Sequence, residues 1–134
     1  MQHIVPTEAQ GAALARRLDG HDGPVVMLNL LKFRETAAYA QPAPPVSGRV
    51  AYDRYEAAIR PLLAASGGEV LLDGTGGAWF IGPEAERWDR VLLVRQASLA
   101  AFFAFATDPA AQAAGLHREA ALEDSRLLPL TARL

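Results

Sequence analysis

The order of segments predicts an α+β domain of the ferredoxin-like kind: a βαββαβ antiparallel sheet with an extra helix at the N-terminus. Three observations carry this. Residues 25–33 are an apolar run of strand length, and 88–96 read as a second buried strand with Val-Leu-Leu-Val at its centre, 91–94. Capped helical segments separate the strand segments. The order from residue 25 onward is strand, helix, strand with a hairpin arm, strand, helices, strand. The first and third strands are the most apolar, as the two central strands of such a sheet should be. The chain is 134 residues long, which suits a single domain over 1–134, with an N-terminal extension at 1–23 and a core at 25–130.

In chain order, Thr7-Glu8-Ala9-Gln10 fits a capping box, so a short helix should run to about Leu18. Residues 19–24 break it with two glycines and a proline. Residues 25–33 follow as a strand expected to be buried on both faces, with Asn29 and Lys32 as its polar members. Residues 34–48 are a long loop with Pro42, Pro44 and Pro45, either a surface excursion or a functional lid.

Ser47 can cap a helix over 48–66, with Tyr52, Tyr55, Ile59 and Leu62 on one face. Arg49, Asp53, Glu56 and Arg60 fall on its polar side. Pro61 should kink its last turns, because it cannot donate to Ala57. Residues 69–73 read as the second strand, 74–77 as a glycine turn, and 78–81 as the returning arm. The glycine cluster lacks a Gly-Lys-Ser/Thr ending, so it is not read as a phosphate cradle. Residues 82–87 form a polar loop before the strand at 88–96. Ser98 caps a helix to Ala106. Asp108-Pro109 opens another, expected to stop at Gly115. Residues 116–122 read equally as helical turn or loop. Residues 123–130 are the last strand, at an edge because Pro129 cannot donate to a ladder.

Composition narrows the function. Charged residues make up 21% of the chain and the formal net charge is −2, with no basic stripe, so nucleic acid is not an expected partner. Lys32 is the only lysine. There are no cysteines, which removes disulfides and thiolate chemistry. No apolar run reaches the roughly 18 residues of a membrane span. The N-terminus has no apolar leader segment, and a cytoplasmic location is expected.

The ordered motifs Leu28-Asn29-Leu30-Leu31-Lys32-Phe33, Tyr52-Asp53-Arg54-Tyr55, Pro61-Leu62-Leu63 and Gly67-Gly68-Glu69 open a longer pattern. It continues with Trp88-Asp89-Arg90-Val91, Asp108-Pro109, His117-Arg118 and Asp124-Ser125-Arg126-Leu127. Together they resemble a bacterial domain-of-unknown-function family, number thirteen-thirty, of the dimeric α+β barrel superfamily. The likeness spans residues 25–130. Departures lie at Gln96-Ala97-Ser98 and Ala111-Gln112, where the family commonly carries aromatic residues. The family has no established activity. Its superfamily includes cofactor-free monooxygenases, small isomerases and haem-handling enzymes. The resemblance implies a homodimer in which two sheets face one another, with a ligand cavity between sheet and helices or inside the barrel. Strands apolar on both faces point the same way, since they need a second cover.

The candidate site residues follow. Asn29 shares a face with Met27, Leu31 and Phe33. It is either an amide that orients a substrate or one satisfied by the fold. Arg95 shares a face with Val91 and Leu93 on the neighbouring central strand, and either binds an anionic oxygen or ends its strand in solvent. Lys32, on the face opposite Asn29, is either a base or a strand-end surface residue. Tyr52 and Tyr55 either present hydroxyls to a cavity or complete the core. His117 is the one candidate general base near neutral pH, with Arg118 beside it for anion stabilisation. Their alternative is an Arg118 paired with Asp124 or Glu123 and a His117 on the surface. Trp88 joins the binding candidates. The three histidines are dispersed, so no metal site is expected, and no cofactor. The expected role is binding of an apolar or aromatic small molecule, with cofactor-independent oxygenase or isomerase-type chemistry. The alternative is a non-catalytic ligand-binding or dimeric interaction module.

Overall fold

The computed structural model describes residues 2–133. The elements are α1 (Glu8–Arg17), β1 (Val25–Phe33), α2 (Gly48–Ala65), β2 (Glu69–Ala78), β3 (Arg87–Gln96), α3 (Leu99–Thr107), α4 (Pro109–Ala121) and β4 (Leu122–Leu130). The four strands order as β2-β3-β1-β4, and each neighbouring pair is antiparallel. This is the ferredoxin-like sheet, with the two apolar strands at its centre and β4 at an edge. Among the described residues no helix is long and apolar enough to cross a membrane.

Side-chain alternation decides what each face of the sheet meets. On β1 the odd positions Val25 to Phe33 are buried, and the even positions Val26, Leu28, Leu30 and Lys32 are only partly covered. Leu31 and Phe33 pack with Tyr52 of α2. Val25 and Met27 pack with Leu18, Leu14 and Phe102. One face of β1 is therefore covered by helices. The other has no helix over it within the chain, and its side chains are only partly covered.

The helix starts follow the caps. Thr7 and Gln10 form the reciprocal capping box of α1. The hydroxyls of Ser47 and Ser98 accept from Val50 and Ala101, each three residues on. The Asp108 carboxylate accepts from the Ala110 amide at 2.8 Å.

Two boundaries differ from the expectation. Residues 74–77 are not a turn: β2 runs through them to Ala78 while paired with β3, and the reversal lies at 79–86. None of these glycines takes a positive φ. At Gly76 an added Cβ would stand 2.3 Å from the Trp88 carbonyl oxygen, so glycine there permits close backbone approach. Gly115 likewise does not stop α4, which continues to Ala121. Buried Ala111, Ala114, Ala120 and Ala121 carry the helix across it, against a glycine penalty of about 1 kcal/mol.

The long loop is stitched down. The Arg34 amide donates to the Ala121 carbonyl and the Ala38 amide to the Ala120 carbonyl, each at 2.8 Å. These bonds satisfy carbonyls that the end of α4 cannot pair internally.

Candidate functional site

A cavity of about 120 Å³ lies between the sheet and helices α2, α3 and α4. Its walls are mostly apolar, from Met27, Leu92 and Val94 on the sheet to Ile59, Leu63, Phe102 and Phe105 on the helices. The lining runs along α2 from Tyr52 to Leu63, about 16 Å of helix at 1.5 Å per residue. Its polar side chains include Asn29, Tyr52, Tyr55, Glu56, Gln96 and Arg118.

Alternation brings Asn29 and Gln96 to the cavity side, since Asn29 pairs with Leu92 and Gln96 with Val25. Asn29 is 9% exposed, and its amide nitrogen donates to the Met27 carbonyl at 3.2 Å. Gln96 is 2% exposed, and its Oε1 is buried with no hydrogen-bond partner among the described residues. Leaving such an acceptor unpaired costs about 1–3 kcal/mol.

Tyr52 and Tyr55 sit one turn apart on α2, with ring centroids 5.3 Å apart. Burial pushes the Tyr52 hydroxyl far above its ordinary pKa, and the neighbouring Tyr55 adds to the shift. Burial also raises Tyr55, against the opposing pull of Arg118. Both hydroxyls therefore stay protonated and available as donors. Arg118 lines the same end, while its guanidinium also donates to the Ile4 carbonyl and to Ser125 Oγ. It pairs with neither Asp124 nor Glu123. Asp124 instead holds Arg126 at 2.7 Å.

Arg90 of β3 ties α2 to β2 behind Tyr52 and Glu56. It reaches Asp73 at 2.6 Å, Glu56 Oε2 at 3.0 Å and Asp53 at 3.3 Å. Its guanidinium lies 5.5 Å from the centre of the Tyr52 ring. The hydrogen bond from Arg90 holds the Asp73 carboxyl below its usual range. Burial acts the other way on Glu56 and raises it, with Arg90 opposing.

The other sequence candidates lie elsewhere. His117 precedes Arg118 on α4, and consecutive helical residues point about 100° apart. Its Nδ1 meets the Tyr39 hydroxyl at 2.7 Å, and the two rings stack edge-on. Tyr39 belongs to the long loop, so His117 anchors that loop. Arg95 pairs with Val26 on the uncovered face and lies 3.9 Å from Glu69. Lys32 lies 3.6 Å from Glu123. Trp88 is 5% exposed under the Arg126 guanidinium and shares a shallow cleft with Lys32. Asn29, Arg95 and His117 thus occupy three different places.

Gln96 and Glu56 are the cavity residues that the sequence reading passed over. Period two from Leu92 and Val94 reaches Gln96. Glu56 is four residues from Tyr52 and so shares its face, although it also falls among charged neighbours. Replacing Tyr39 by Phe removes the bond to His117. A loss of about 1 kcal/mol in urea unfolding is expected, with faster proteolysis within residues 34–48. Unchanged cleavage would rule out the anchoring role.

No protein-family model matches the chain, and no curated protein does. Solved structures do. The chain is 37% identical to RPA0582, a protein of unknown function from Rhodopseudomonas palustris, covering 97% of this chain and 96% of that one, with a TM-score of 0.86. The methylated form of that protein gives 37% identity, coverage of 98% and 95%, and a TM-score of 0.87. A protein from Bacteroides fragilis, described as dimeric, of unknown function and of ferredoxin-like fold, is 20% identical. That match covers 81% of this chain and 95% of the other, with a TM-score of 0.51. At that identity it supports the fold alone.

Proposed function

The chain belongs to one family with RPA0582 of Rhodopseudomonas palustris, and from that premise we propose that it is a small-molecule-binding protein acting as a cytoplasmic homodimer. The ligand site is the cavity between sheet and helices. The motif order given above supports placing this family within domain-of-unknown-function number thirteen-thirty. The observation that carries the reading is Gln96. Gln96 is a buried amide that lines the apolar cavity, and its Oε1 has no partner among the described residues, so the fold leaves a polar group beside the cavity unsatisfied.

The ligand is small and largely apolar or aromatic. A dry cavity of about 150 Å³ lined by Leu, Ile and Phe is known to hold benzene, and this one is of similar size. Asn29, Tyr52, Tyr55 and Arg118 supply the polar contacts. Chemistry at this site is of the cofactor-independent isomerase or oxygenase type. The non-catalytic reading is favoured by one fact: His117, the expected base, is engaged by Tyr39 outside the cavity.

The second subunit covers the outer sheet face. Leu72, Leu128 and Leu130 there are 51%, 49% and 36% exposed, and the Bacteroides fragilis protein of the same fold is described as dimeric.

Gln96→Leu tests the binding site. Removing an unsatisfied buried acceptor should leave stability unchanged or raise it by about 1 kcal/mol, while binding falls. Phenol at saturating concentration should raise the melting temperature of the wild-type protein and leave that of Gln96→Leu unmoved. The reading fails if phenol shifts neither protein and Gln96→Leu is markedly destabilised, because Gln96 would then serve packing only.

A further inference from the structure

Resting on the cavity as the ligand site, we propose that Glu56 is its proton acceptor and that the substrate class is a small ketone with an acidic C–H beside the carbonyl. The carbonyl oxygen would meet the Tyr52 and Tyr55 hydroxyls and Arg118.

The geometry of Glu56 is that of an oriented base. Arg90 holds Oε2 at 3.0 Å, and Arg60 lies 3.8 Å from the same oxygen. Oε1 is buried and has no partner among the described residues. One oxygen is pinned and the other is buried beside it without a partner, in a residue whose side chain lines the cavity; a shift of the carboxylate about its own χ angles is what brings Oε1 to a substrate. Burial strengthens it as a base relative to an ordinary carboxylate, while the guanidinium of Arg90 limits that gain.

The groups beside it suit the other half of the reaction. Tyr55 adjoins Glu56 in sequence, and Tyr52 lies one turn before it. Both hydroxyls are neutral donors, and Arg118 interacts electrostatically with both rings. Donors held in place by the fold stabilise a developing oxyanion without reorganising.

The step balances without a co-reactant. The Glu56 carboxylate takes the proton from the carbon next to the carbonyl. The C–H electron pair becomes the C=C bond of the enolate, and the carbonyl π pair moves onto oxygen. In a β,γ-unsaturated ketone the Glu56 carboxylic acid then returns the proton to the γ carbon, and the double bond moves into conjugation. Nothing is oxidised or reduced, and the carboxylate is restored.

Cyclohex-3-enone is a probe of suitable size, and its conversion to cyclohex-2-enone is followed by the absorbance of the conjugated product. The wild-type protein should convert it with saturation kinetics above the buffer rate. Glu56→Gln should lower kcat by at least about 100-fold, with KM and melting temperature little changed. Tyr55→Phe, which leaves the ion pairs intact, should lower kcat about tenfold and provides a second measure if Glu56→Gln folds poorly. Glu56→Gln at the wild-type rate overturns the proposal. A melting-temperature rise with cyclohexanone, but no deuterium exchange at its α carbons in D₂O, overturns Glu56 chemistry alone and leaves the binding reading standing. No response to cyclohexanone, cyclohex-3-enone or phenol overturns both.

Discussion

Gly48→Ala is expected to destabilise the protein by about 3 kcal/mol, at the upper end for overpacking a tight site. Gly48 is the buried first residue of α2. A Cβ there would stand 2.3 Å from the Arg34 carbonyl oxygen, 2.6 Å from that of Ala121 and 2.8 Å from the Arg34 nitrogen. All three are backbone atoms, and none can turn aside as a flexible side chain would. They are also tied to one another. The Gly48 amide donates to the Arg34 carbonyl at 3.1 Å, and the Arg34 amide donates to Ala121 at 2.8 Å. The end of β1, the start of α2 and the end of α4 meet here, so making room would break the bonds that join them. Gly115→Ala is the control. Nothing lies within 4 Å of a Cβ at that position, and the site is inside a helix, where Ala is favoured by up to about 1 kcal/mol. Urea midpoints should move in opposite directions for the two variants. A Gly48→Ala protein as stable as wild type would show that the three segments do not lock together at this point.

The same glycines show how far the sequence could be read. Thr7, Ser47, Ser98 and Asp108 announce their helices because a cap is a local device, with donor and acceptor within three residues of each other. The central strands are legible because burial against helices demands the apolar runs that β1 and β3 carry. Glycine is ambiguous, because its missing side chain serves either a reversal or a close approach. At Gly76 it serves an approach to the backbone of Trp88, a partner set by pairing and invisible in the local sequence. At Gly115 tertiary packing of the flanking alanines overrides propensity. The site divides in the same way. Alternation along β1 separates Asn29 from Lys32, but the relation of Asn29 to Arg95 on β3 waits for the pairing register, and alternation does not say which face meets the helices. That depends on α2 and α4, and it decides that Asn29 and Gln96 line the cavity while Arg95 does not. His117 and Arg118 read as a pair only while their segment is taken as irregular. Once α4 runs through them, one faces the loop and the other the cavity.

Leu128→Asp is expected to convert the proposed homodimer into folded monomers. On the uncovered sheet face, Leu128 of β4 pairs with Leu28 of β1, which in turn pairs with Leu93 of β3. Leu93 pairs with Leu72 of β2, so one apolar row crosses all four strands. Within one protomer Leu128 is 49% exposed on an edge strand, so an Asp there keeps access to water and costs the monomer little. Between two facing sheets it would be a desolvated charge with no partner, at a cost of several kcal/mol. At about 1.4 kcal/mol per tenfold change, the dissociation constant should rise by a factor of roughly 100 or more. The β2–β3 hairpin offers an independent check. Phe80 and Ile81 at its tip are 100% and 86% exposed, and they sit on an arm that extends from the same sheet. Phe80→Asp cannot disturb a core it does not touch, so any weakening of the dimer by this variant reports contact across the interface. Sedimentation equilibrium at micromolar concentrations measures both effects, with circular dichroism as the check on folding. A wild-type protein that sediments as a monomer, or a Leu128→Asp variant that stays dimeric, would mean that this sheet face is not where two copies meet.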